Sequence, residues 1–175
     1  MRIFVSIDLS EEAKQYVQEL QKSVPQNAGD FSFTKQPHIT LKFLGEGGVE
    51  GVKKRLSEIE FKPFTLMTDK LGFFPSENYI KVLWLGLKES SELNQLAENV
   101  KTSLLEFPED RPFHPHITLA RIRHLEDKEA FKKIVEKIKL KELSFEVKSF
   151  QLMQSIPSPE KFVYEEIESY YPKPL

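Results

Sequence analysis

The sequence predicts an α+β fold with two pseudo-symmetric lobes. Three observations support this prediction. Segments with helical and with strand-like hydrophobic periods alternate along the chain. The pentapeptide Pro-His-Ile-Thr-Leu at 37–41 recurs at 115–119, 78 positions later (115 minus 37), which indicates an internal duplication. Between the two copies there is no linker rich in glycine or serine. We therefore expect residues 1–175 to form a single domain made of two duplicated lobes.

The first half of the chain contains signals for four strands and two helices. The strands have alternating apolar residues, and the helices have apolar residues at i, i+3 and i+4. In chain order the predicted elements are a strand from Ile3 to Ile7, a helix capped by Ser10 and ended by Pro25, a short strand at Phe31 and Phe33, the strand 38–44, a helix from Val49 to Ile59 and the strand 63–73.

The second half repeats this alternation. Its predicted elements are a strand 80–87 buried on both faces, a helix opened by Ser90 or Ser91, the strand 116–123, a helix carrying Phe131 and Ile138, a strand region 143–152 and a last strand 162–167. Within 143–152 the apolar residues change parity between Val147 and Phe150, which predicts a β-bulge near Lys148 or Ser149.

Composition excludes several classes of function. A net charge of −2 and a pI near 6.1 argue against a large, positively charged surface that binds nucleic acid. Any RNA is therefore expected to bind by an end. The absence of cysteine excludes disulfides, zinc thiolates and a cysteine nucleophile. No stretch approaches the roughly 18 apolar residues of a membrane span, and the first residues do not form a signal peptide. A cytoplasmic protein with no membrane partner is therefore predicted.

The repeated pentapeptide carries residues suited to acid–base chemistry. Side chains alternate along a strand, so His38 and Thr40 share one face, as do His116 and Thr118, while the isoleucine and leucine of each copy face the core. Two such strands placed side by side would surround one small site with two imidazoles and two hydroxyls. A neutral and a protonated imidazole coexist near physiological pH, so one can accept a proton while the other donates one. Two imidazoles and two hydroxyls are suited to the cleavage of a phosphodiester or cyclic phosphate. This reaction needs no cofactor and no metal.

The chain resembles the 2H phosphoesterase superfamily, which is named for paired His-x-Thr motifs. Within it the chain is most similar to the bacterial and archaeal RNA 2′,3′-cyclic phosphodiesterases, also called 2′-5′ RNA ligases or LigT-like proteins. The segments that carry the resemblance are Met1-Arg2-Ile3-Phe4-Val5-Ser6-Ile7-Asp8, His38-Ile39-Thr40-Leu41-Lys42-Phe43-Leu44-Gly45, Lys81-Val82-Leu83-Trp84-Leu85-Gly86, Arg111-Pro112-Phe113, His116-Ile117-Thr118-Leu119-Ala120-Arg121, Phe150-Gln151-Leu152 and Ser155.

The resemblance implies a bilobal α+β fold in which antiparallel sheets line a central cleft and helices lie outside. It implies opening of a 2′,3′-cyclic phosphate at an RNA 3′ end to a 2′-phosphomonoester, and reversible, nucleotide-independent 2′-5′ ligation of tRNA halves. By family assignment, His38 donates a proton to the leaving 3′ oxygen, His116 activates water and Arg121 contacts the phosphate. The symmetry of the motif does not fix which histidine is the acid. A monomer that binds RNA 3′ ends or tRNA halves is expected.

The position of Arg121 raises a difficulty. Arg121 lies five residues after His116, so in a regular strand it would point to the opposite face unless a bulge turned it back. Lys42 has the parity of His38 and is the alternative cation. Phe31 lies near a position where relatives often have tryptophan, and it could stack on a base.

Other interpretations remain open at this stage. The substrate could be a small cyclic phosphate or cyclic nucleotide, such as ADP-ribose 1″,2″-cyclic phosphate, or the protein could be a non-catalytic module that binds RNA ends. A metal site would use His114 and His116, with His124 as a distant third ligand. Phe74 and Trp84 are assigned to the core rather than to a base-stacking surface, as is Phe73.

Overall fold

The computed structural model describes residues 2–109, 111–159 and 161–174. Within these residues the chain forms nine strands and four α-helices, with a 3₁₀ turn at Gln26–Ala28. The strands are β1 Arg2–Asp8, β2 Gly29–Phe33, β3 His38–Glu46, β4 Phe64–Pro75, β5 Ile80–Leu87, β6 His116–Leu125, β7 Ser144–Val147, β8 Phe150–Ser158 and β9 Lys161–Tyr170. The helices are α1 Glu11–Lys22, α2 Val49–Ser57, α3 Ser91–Ser103 and α4 Lys128–Glu136.

The strands form two antiparallel sheets, which confirms the predicted α+β class. One sheet has the order β3-β1-β8-β9 and the other has the order β2-β6-β5-β4-β7. Each sheet takes strands from both halves of the chain, because β4 pairs with β5 and β7 while β8 pairs with β1 and β9. The lobes are therefore interleaved in sequence. That they arose by duplication remains a prediction.

The helices connect the two sheets. Ser10 caps α1, as predicted, by accepting a hydrogen bond from the Ala13 amide at 3.1 Å. Although α1 follows β1, it packs against β6 of the other sheet, where the Gln21 side chain donates to the Leu119 carbonyl at 3.0 Å. Helix α3 follows β5 of the five-stranded sheet and contacts β3 of the four-stranded sheet. None of the helices in the described residues is long and apolar enough to cross a bilayer.

Matching β-bulges interrupt the two strands that carry the repeated pentapeptide. In β3, Thr40 lies opposite Ser6 and Lys42 lies opposite Val5, so one extra residue stands between them. In β6, Thr118 and Ala120 lie opposite the consecutive residues Trp84 and Leu83 of β5. The extra residue is in each case the buried leucine that follows the threonine. A bulge of this kind reverses the parity of the side chains that directly follow it, up to the next shift of register.

The predicted bulge near Lys148 or Ser149 is wrong. These two residues link β7, which pairs with β4, to β8, which pairs with β1. The change of parity that suggested a bulge marks a break between two strands in different sheets. Because each strand buries the face that its own sheet requires, the apolar residues need not keep one phase across the break.

Strand β5 also differs from its prediction, because only one of its faces is fully buried. Leu83 and Leu85 are buried in the core, whereas Trp84 on the opposite face is half-buried. The indole of Trp84 lies flat on the sheet across Gly72, where a Cβ atom would come within 2.2 Å of the ring, and it also approaches Gly86. Trp84 is the residue directly opposite Thr118, so it belongs to the same face as the second repeat.

Replacing Gly72 with alanine is expected to displace the Trp84 ring and to destabilise the fold. The added methyl group would overlap packed ring atoms, and overpacking of this kind costs about 1–3 kcal/mol in the free energy of unfolding. Urea denaturation of Gly72→Ala measures the change. Gly48→Ala is the matched control, since a Cβ there meets no described atom within 4 Å. Equal stability of Gly72→Ala and the wild type would contradict the flat packing of the indole.

Candidate active site

The two repeated histidines occupy equivalent places at the starts of contacting strands. His38 begins β3 and His116 begins β6, and these strands contact each other across the two sheets. His38 Nδ1 lies 2.9 Å from the Gln36 carbonyl oxygen, and His116 Nδ1 lies 2.7 Å from the His114 carbonyl oxygen. A carbonyl oxygen accepts hydrogen bonds, so both Nδ1 atoms donate. The Nε2 atom of each ring is thereby left for proton transfer.

Burial lowers the pKa of His38 from its ordinary value, since it disfavours the imidazolium. The hydrogen bond to Gln36 and the negative charge of Asp8 act in the opposite direction, while the positive charge of Arg121 lowers the pKa further. His38 Nε2 also lies 3.1 Å from Thr40 Oγ1. In the neutral ring this nitrogen carries a lone pair, so the threonine hydroxyl donates to it.

Burial likewise lowers the pKa of His116, and the hydrogen bond to the His114 carbonyl partly offsets that effect. The charges of His114, His38 and Arg121 lower the pKa of His116 further. His38 and Arg121 are thus close enough to His116 to affect its ionisation. The two histidines and the arginine share one electrostatic environment.

The two threonines are half-buried on the faces that carry the histidines. Thr40 lies two residues after His38, before the bulge of β3, and Thr118 has the same place in β6. Their hydroxyls therefore line the space between the two strands. Hydroxyl donors in this position can meet the oxygens of an anion held between the imidazoles.

The bulge of β6 resolves the difficulty with Arg121. Beyond the extra leucine, Ala120 turns into the core and Arg121 returns to the face of His116 and Thr118. Its guanidinium is exposed, and its charge acts on both histidines. The arrangement suits a cation that faces a phosphate.

The alternative cation, Lys42, does not face the site. The same parity change in β3 places it opposite Val5 on the core side, where its side chain is 1% exposed. Lys42 Nζ lies 3.2 Å from a carboxylate oxygen of Glu109, in the segment that leads to the second repeat. A buried ammonium needs such a partner to offset the loss of hydration.

Aromatic side chains surround both imidazoles, and sequence reasoning missed most of them. Around His38 the ring centroids of Phe4 and Tyr164 both lie 5.3 Å from the imidazole. Around His116 the corresponding distances are 4.9 Å for Phe74 and 6.3 Å for Trp84. Phe74 and Trp84 therefore belong to the cleft and not to the core. The parity of Trp84 relative to Leu83 and Leu85 was the available signal.

Phe31, considered above as a base-stacking residue, lies on the core face of its sheet. Its ring packs against Phe33 and Phe131 at centroid distances of 5.7 and 5.6 Å. It pairs with Ile122, which is 3% exposed. A phenylalanine in this position supports helix α4 and does not reach the cleft.

The metal alternative finds no support in the geometry. Among residues 2–109, 111–159 and 161–174, no group of three or more potential ligands could hold a metal ion. His114 and His116 have ring centroids 6.2 Å apart, with Phe74 edge-on to both. The exposed His124 lies 3.6 Å from Glu126. The described residues thus offer two imidazoles for acid–base chemistry and no assembled metal centre.

Comparison with known proteins identifies the family of this chain. The family model of the 2′-5′ RNA ligase superfamily matches residues 8–156. A protein of Archaeoglobus fulgidus named RNA 2′,3′-cyclic phosphodiesterase is 33% identical over 177 residues, which cover 97% of this chain and 99% of the relative. A protein of the same name from Methanocaldococcus jannaschii is 31% identical over 173 residues, covering 97% and 100%. The crystal structure of E. coli LigT complexed with 3′-AMP has a TM-score of 0.77 and 26% identity, covering 99% of this chain and 98% of the LigT chain.

The fold, the paired His-x-Thr strands and these matches define a two-histidine phosphoesterase. The chain belongs to the 2′-5′ RNA ligase superfamily and is an enzyme of that superfamily. The resemblance inferred from the motifs is therefore confirmed, and so is the predicted fold with its two antiparallel sheets.

Removing the charge of Arg121 is expected to raise the pKa of both His38 and His116. The guanidinium disfavours both imidazolium ions, so Arg121→Ala relieves that repulsion, while Arg121→Lys retains the charge. NMR titration of the imidazole ¹⁵N resonances in the free protein measures the shift. Arg123→Ala, which removes an exposed arginine from the same strand, is the control. Unchanged pKa values of both histidines in Arg121→Ala would place Arg121 outside the site.

Proposed function

We propose that this protein hydrolyses 2′,3′-cyclic phosphates at RNA 3′ ends to 2′-phosphomonoesters. The supporting observation is the pair of imidazoles, each with Nδ1 hydrogen-bonded to a backbone carbonyl and Nε2 left for proton transfer. The pair is suited to general acid–base catalysis, in which each role contributes about 10²–10⁴ in rate. The named activity of the A. fulgidus and M. jannaschii relatives supports the same reaction.

In the proposed step, His116 Nε2 takes a proton from water as the water oxygen attacks phosphorus. The bond from phosphorus to the 3′ oxygen breaks, and His38 Nε2–H gives its proton to that oxygen. The product is a 2′-phosphomonoester and a free 3′ hydroxyl. After one turnover His116 is protonated and His38 is neutral, so exchange with solvent restores the starting state.

Burial lowers the pKa of both histidines, and the charge of Arg121 lowers both further. The two rings differ in their other neighbours, since the negative charge of Asp8 opposes the lowering for His38, whereas the charge of His114 adds to it for His116. This difference favours His38 as the acid and His116 as the base. The same assignment follows from the family resemblance, whereas the symmetry of the motif does not distinguish the two rings.

The other site residues stabilise the phosphate. Thr40 and Thr118 donate hydrogen bonds to its non-bridging oxygens, and Arg121 balances the charge that develops there in the transition state. The reaction uses protein groups alone, so neither a metal nor a cofactor takes part. Both histidines come from one chain, and we propose that a monomer is the active form.

The same chemistry supports ligation. A 5′ hydroxyl of a second RNA, such as a tRNA half, would replace water as the nucleophile and give a 2′-5′ phosphodiester. Transfer of the proton from the 5′ hydroxyl to His116, and from His38 to the departing 3′ oxygen, balances the step. Cleavage of the 2′-5′ bond is its reverse and needs no nucleotide.

Loss of either histidine is expected to abolish hydrolysis. His38→Ala and His116→Ala each remove one proton-transfer group, so the rate should fall by about 10²–10⁴ in each variant. The assay incubates purified protein in EDTA with an oligoribonucleotide that ends in a 2′,3′-cyclic phosphate, and it follows the appearance of the 2′-phosphate end. His124→Ala is the matched control, since its side chain is 65% exposed and pairs with Glu126.

Each alternative predicts a different result. Turnover of ADP-ribose 1″,2″-cyclic phosphate without turnover of the RNA would identify a small-molecule phosphodiesterase. Binding of the RNA end without turnover, and without a rate effect of His38→Ala, would indicate a binding module. Activity that EDTA abolishes and added metal restores would overturn the metal-independent mechanism.

The pH profile of kcat/KM is expected to be bell-shaped, with its maximum below the ordinary histidine pKa of about 6.5. Catalysis needs one charged and one neutral imidazole, and the pKa of each histidine is lowered from its ordinary value. Activity should therefore fall on the acid side as both rings become charged, and on the alkaline side as both become neutral. Steady-state rates between pH 4 and 9 measure the profile. A flat profile would contradict acid–base roles for the two histidines.

A further inference from the structure

Lys42 is a buried cation that takes no part in the reaction proposed above. Its side chain is 1% exposed on the core side of β3, four residues after His38 (42 minus 38). The matched position of β6, four residues after His116, holds Ala120, which is 0% exposed. A bulged strand of this kind therefore folds without a cation on its core side, and Lys42 is a feature of the first repeat alone.

The partner of Lys42 lies in the link that leads to the second histidine. Lys42 Nζ is 3.2 Å from Glu109 Oε1, and the Glu109 side chain is 23% exposed. Taking an ammonium out of water is costly, and an apolar side chain of similar volume in its place often leaves a protein as stable or more stable. Stability alone therefore does not account for a lysine here. The pair instead joins β3 to one definite point of another segment.

The link between α3 and β6 has no helix or strand in its described residues, which are 104–109 and 111–115. Three of its apolar side chains belong to the core or pack against it, namely Leu104, Phe107 and Phe113. Glu109 lies between the second and the third of these contacts. The ion pair with Lys42 thus holds the polar stretch of the link against β3.

Further contacts hold the same link beside the first repeat. Glu106 forms an ion pair with Arg55 of α2. A backbone hydrogen bond is the largest cause of the lowered pKa of Glu106, and Arg55 and the charge of Lys42 lower it further. The Phe107 ring lies on the turn after β3, where a Cβ atom on Gly47 would come within 3.0 Å of it. The link is therefore attached to β3 and α2, although it leads into β6 of the other sheet.

The end of this link controls the imidazole of His116. The His114 carbonyl accepts the hydrogen bond from His116 Nδ1 at 2.7 Å. Pro112 and Pro115 each fix a φ angle, and Pro115 restricts His114 to an extended backbone. Fewer backbone rotations therefore remain to absorb a displacement of Glu109 before it reaches the His114 carbonyl.

We propose that Lys42 is a positioning residue, which through Glu109 sets the place of His116 relative to His38. This inference rests on the proposed function, in which the two imidazoles act together as acid and base. Lys42 lies on the strand of the acid and its partner lies on the link to the base, so the pair spans the two repeats. Acid–base catalysis depends on the placement of both groups, and a misplacement of about 1 Å can cost about 100-fold in rate.

The kinetics of Lys42→Met test the proposal with the oligoribonucleotide that ends in a 2′,3′-cyclic phosphate. Methionine keeps the unbranched apolar chain and removes the charge. We expect kcat to fall about 10- to 100-fold and KM to stay within about 2-fold, because His116 is displaced while the phosphate contacts remain. Glu109→Gln should cause a similar loss, and the double variant should lose no more than the slower single variant. Lys88→Met, which breaks the exposed ion pair with Glu142, is the matched control.

The tautomer of His116 gives a second readout, which does not depend on activity. In the wild type the hydrogen bond to the His114 carbonyl places the proton of the neutral ring on Nδ1. Imidazole ¹⁵N chemical shifts of the free protein, recorded at a pH where both rings are neutral, measure this preference. We expect Lys42→Met to convert part of His116 to the Nε2–H tautomer, in which Nε2 cannot accept a proton. His38 should keep its tautomer, since the Gln36 carbonyl that holds its ring lies outside the link.

Three results would overturn the role of Lys42. They are an unchanged kcat in Lys42→Met that circular dichroism shows to be folded, losses in kcat that add in the double variant, and an unchanged tautomer of His116. If Lys42→Met does not fold, Glu109→Gln carries both measurements, because glutamine keeps the shape of the partly exposed partner. If the wild type does not hydrolyse the RNA, the proposed function fails, and the ¹⁵N shifts alone decide whether Lys42 positions His116.

Discussion

One extra residue in each of the strands that carry His38 and His116 determines which side chains face the cleft. In a regular strand of period two, Lys42 and Ala120 would share the faces of the histidines, and Phe43 and Arg121 would be buried in the core. The bulges reverse this arrangement, and the buried leucine at each bulge holds it in place. The choice of side chains that face the cleft therefore depends on how two leucines pack on the far side of the sheets.

The sequence predicted most of what depends on local pattern. Helix caps, apolar stripes and the shared face of His38 and Thr40 follow from spacings of two to four residues, and the structure contains them. Local sequence pattern could not predict which strands pair with each other, because pairing between β4 and β5 or between β8 and β1 depends on the whole tertiary fold. The orientation of Arg121 was ambiguous for the same reason, since a bulge is defined by the register with a neighbouring strand.

The interleaved topology links the two sheets through the helices that pack between them. Helix α1 follows β1 of one sheet and packs against β6 of the other, and helix α3 contacts β3 and β4, one strand from each sheet. Moving the sheets apart would expose helix faces that both lobes bury, at a cost that scales with the apolar area uncovered. The histidines and threonines of the candidate site stand near the starts of β3 and β6, where the two sheets contact each other.

The flat packing of Trp84 has a practical consequence. It is the single tryptophan of the sequence, and its ring lies beside Thr118 and close to His116. Indole emission responds to a neighbouring charge and is quenched by a protonated imidazole, so the protein carries an optical reporter within its own cleft. The intrinsic fluorescence of Trp84 can therefore report both the ionisation of His116 and the binding of an anion beside it.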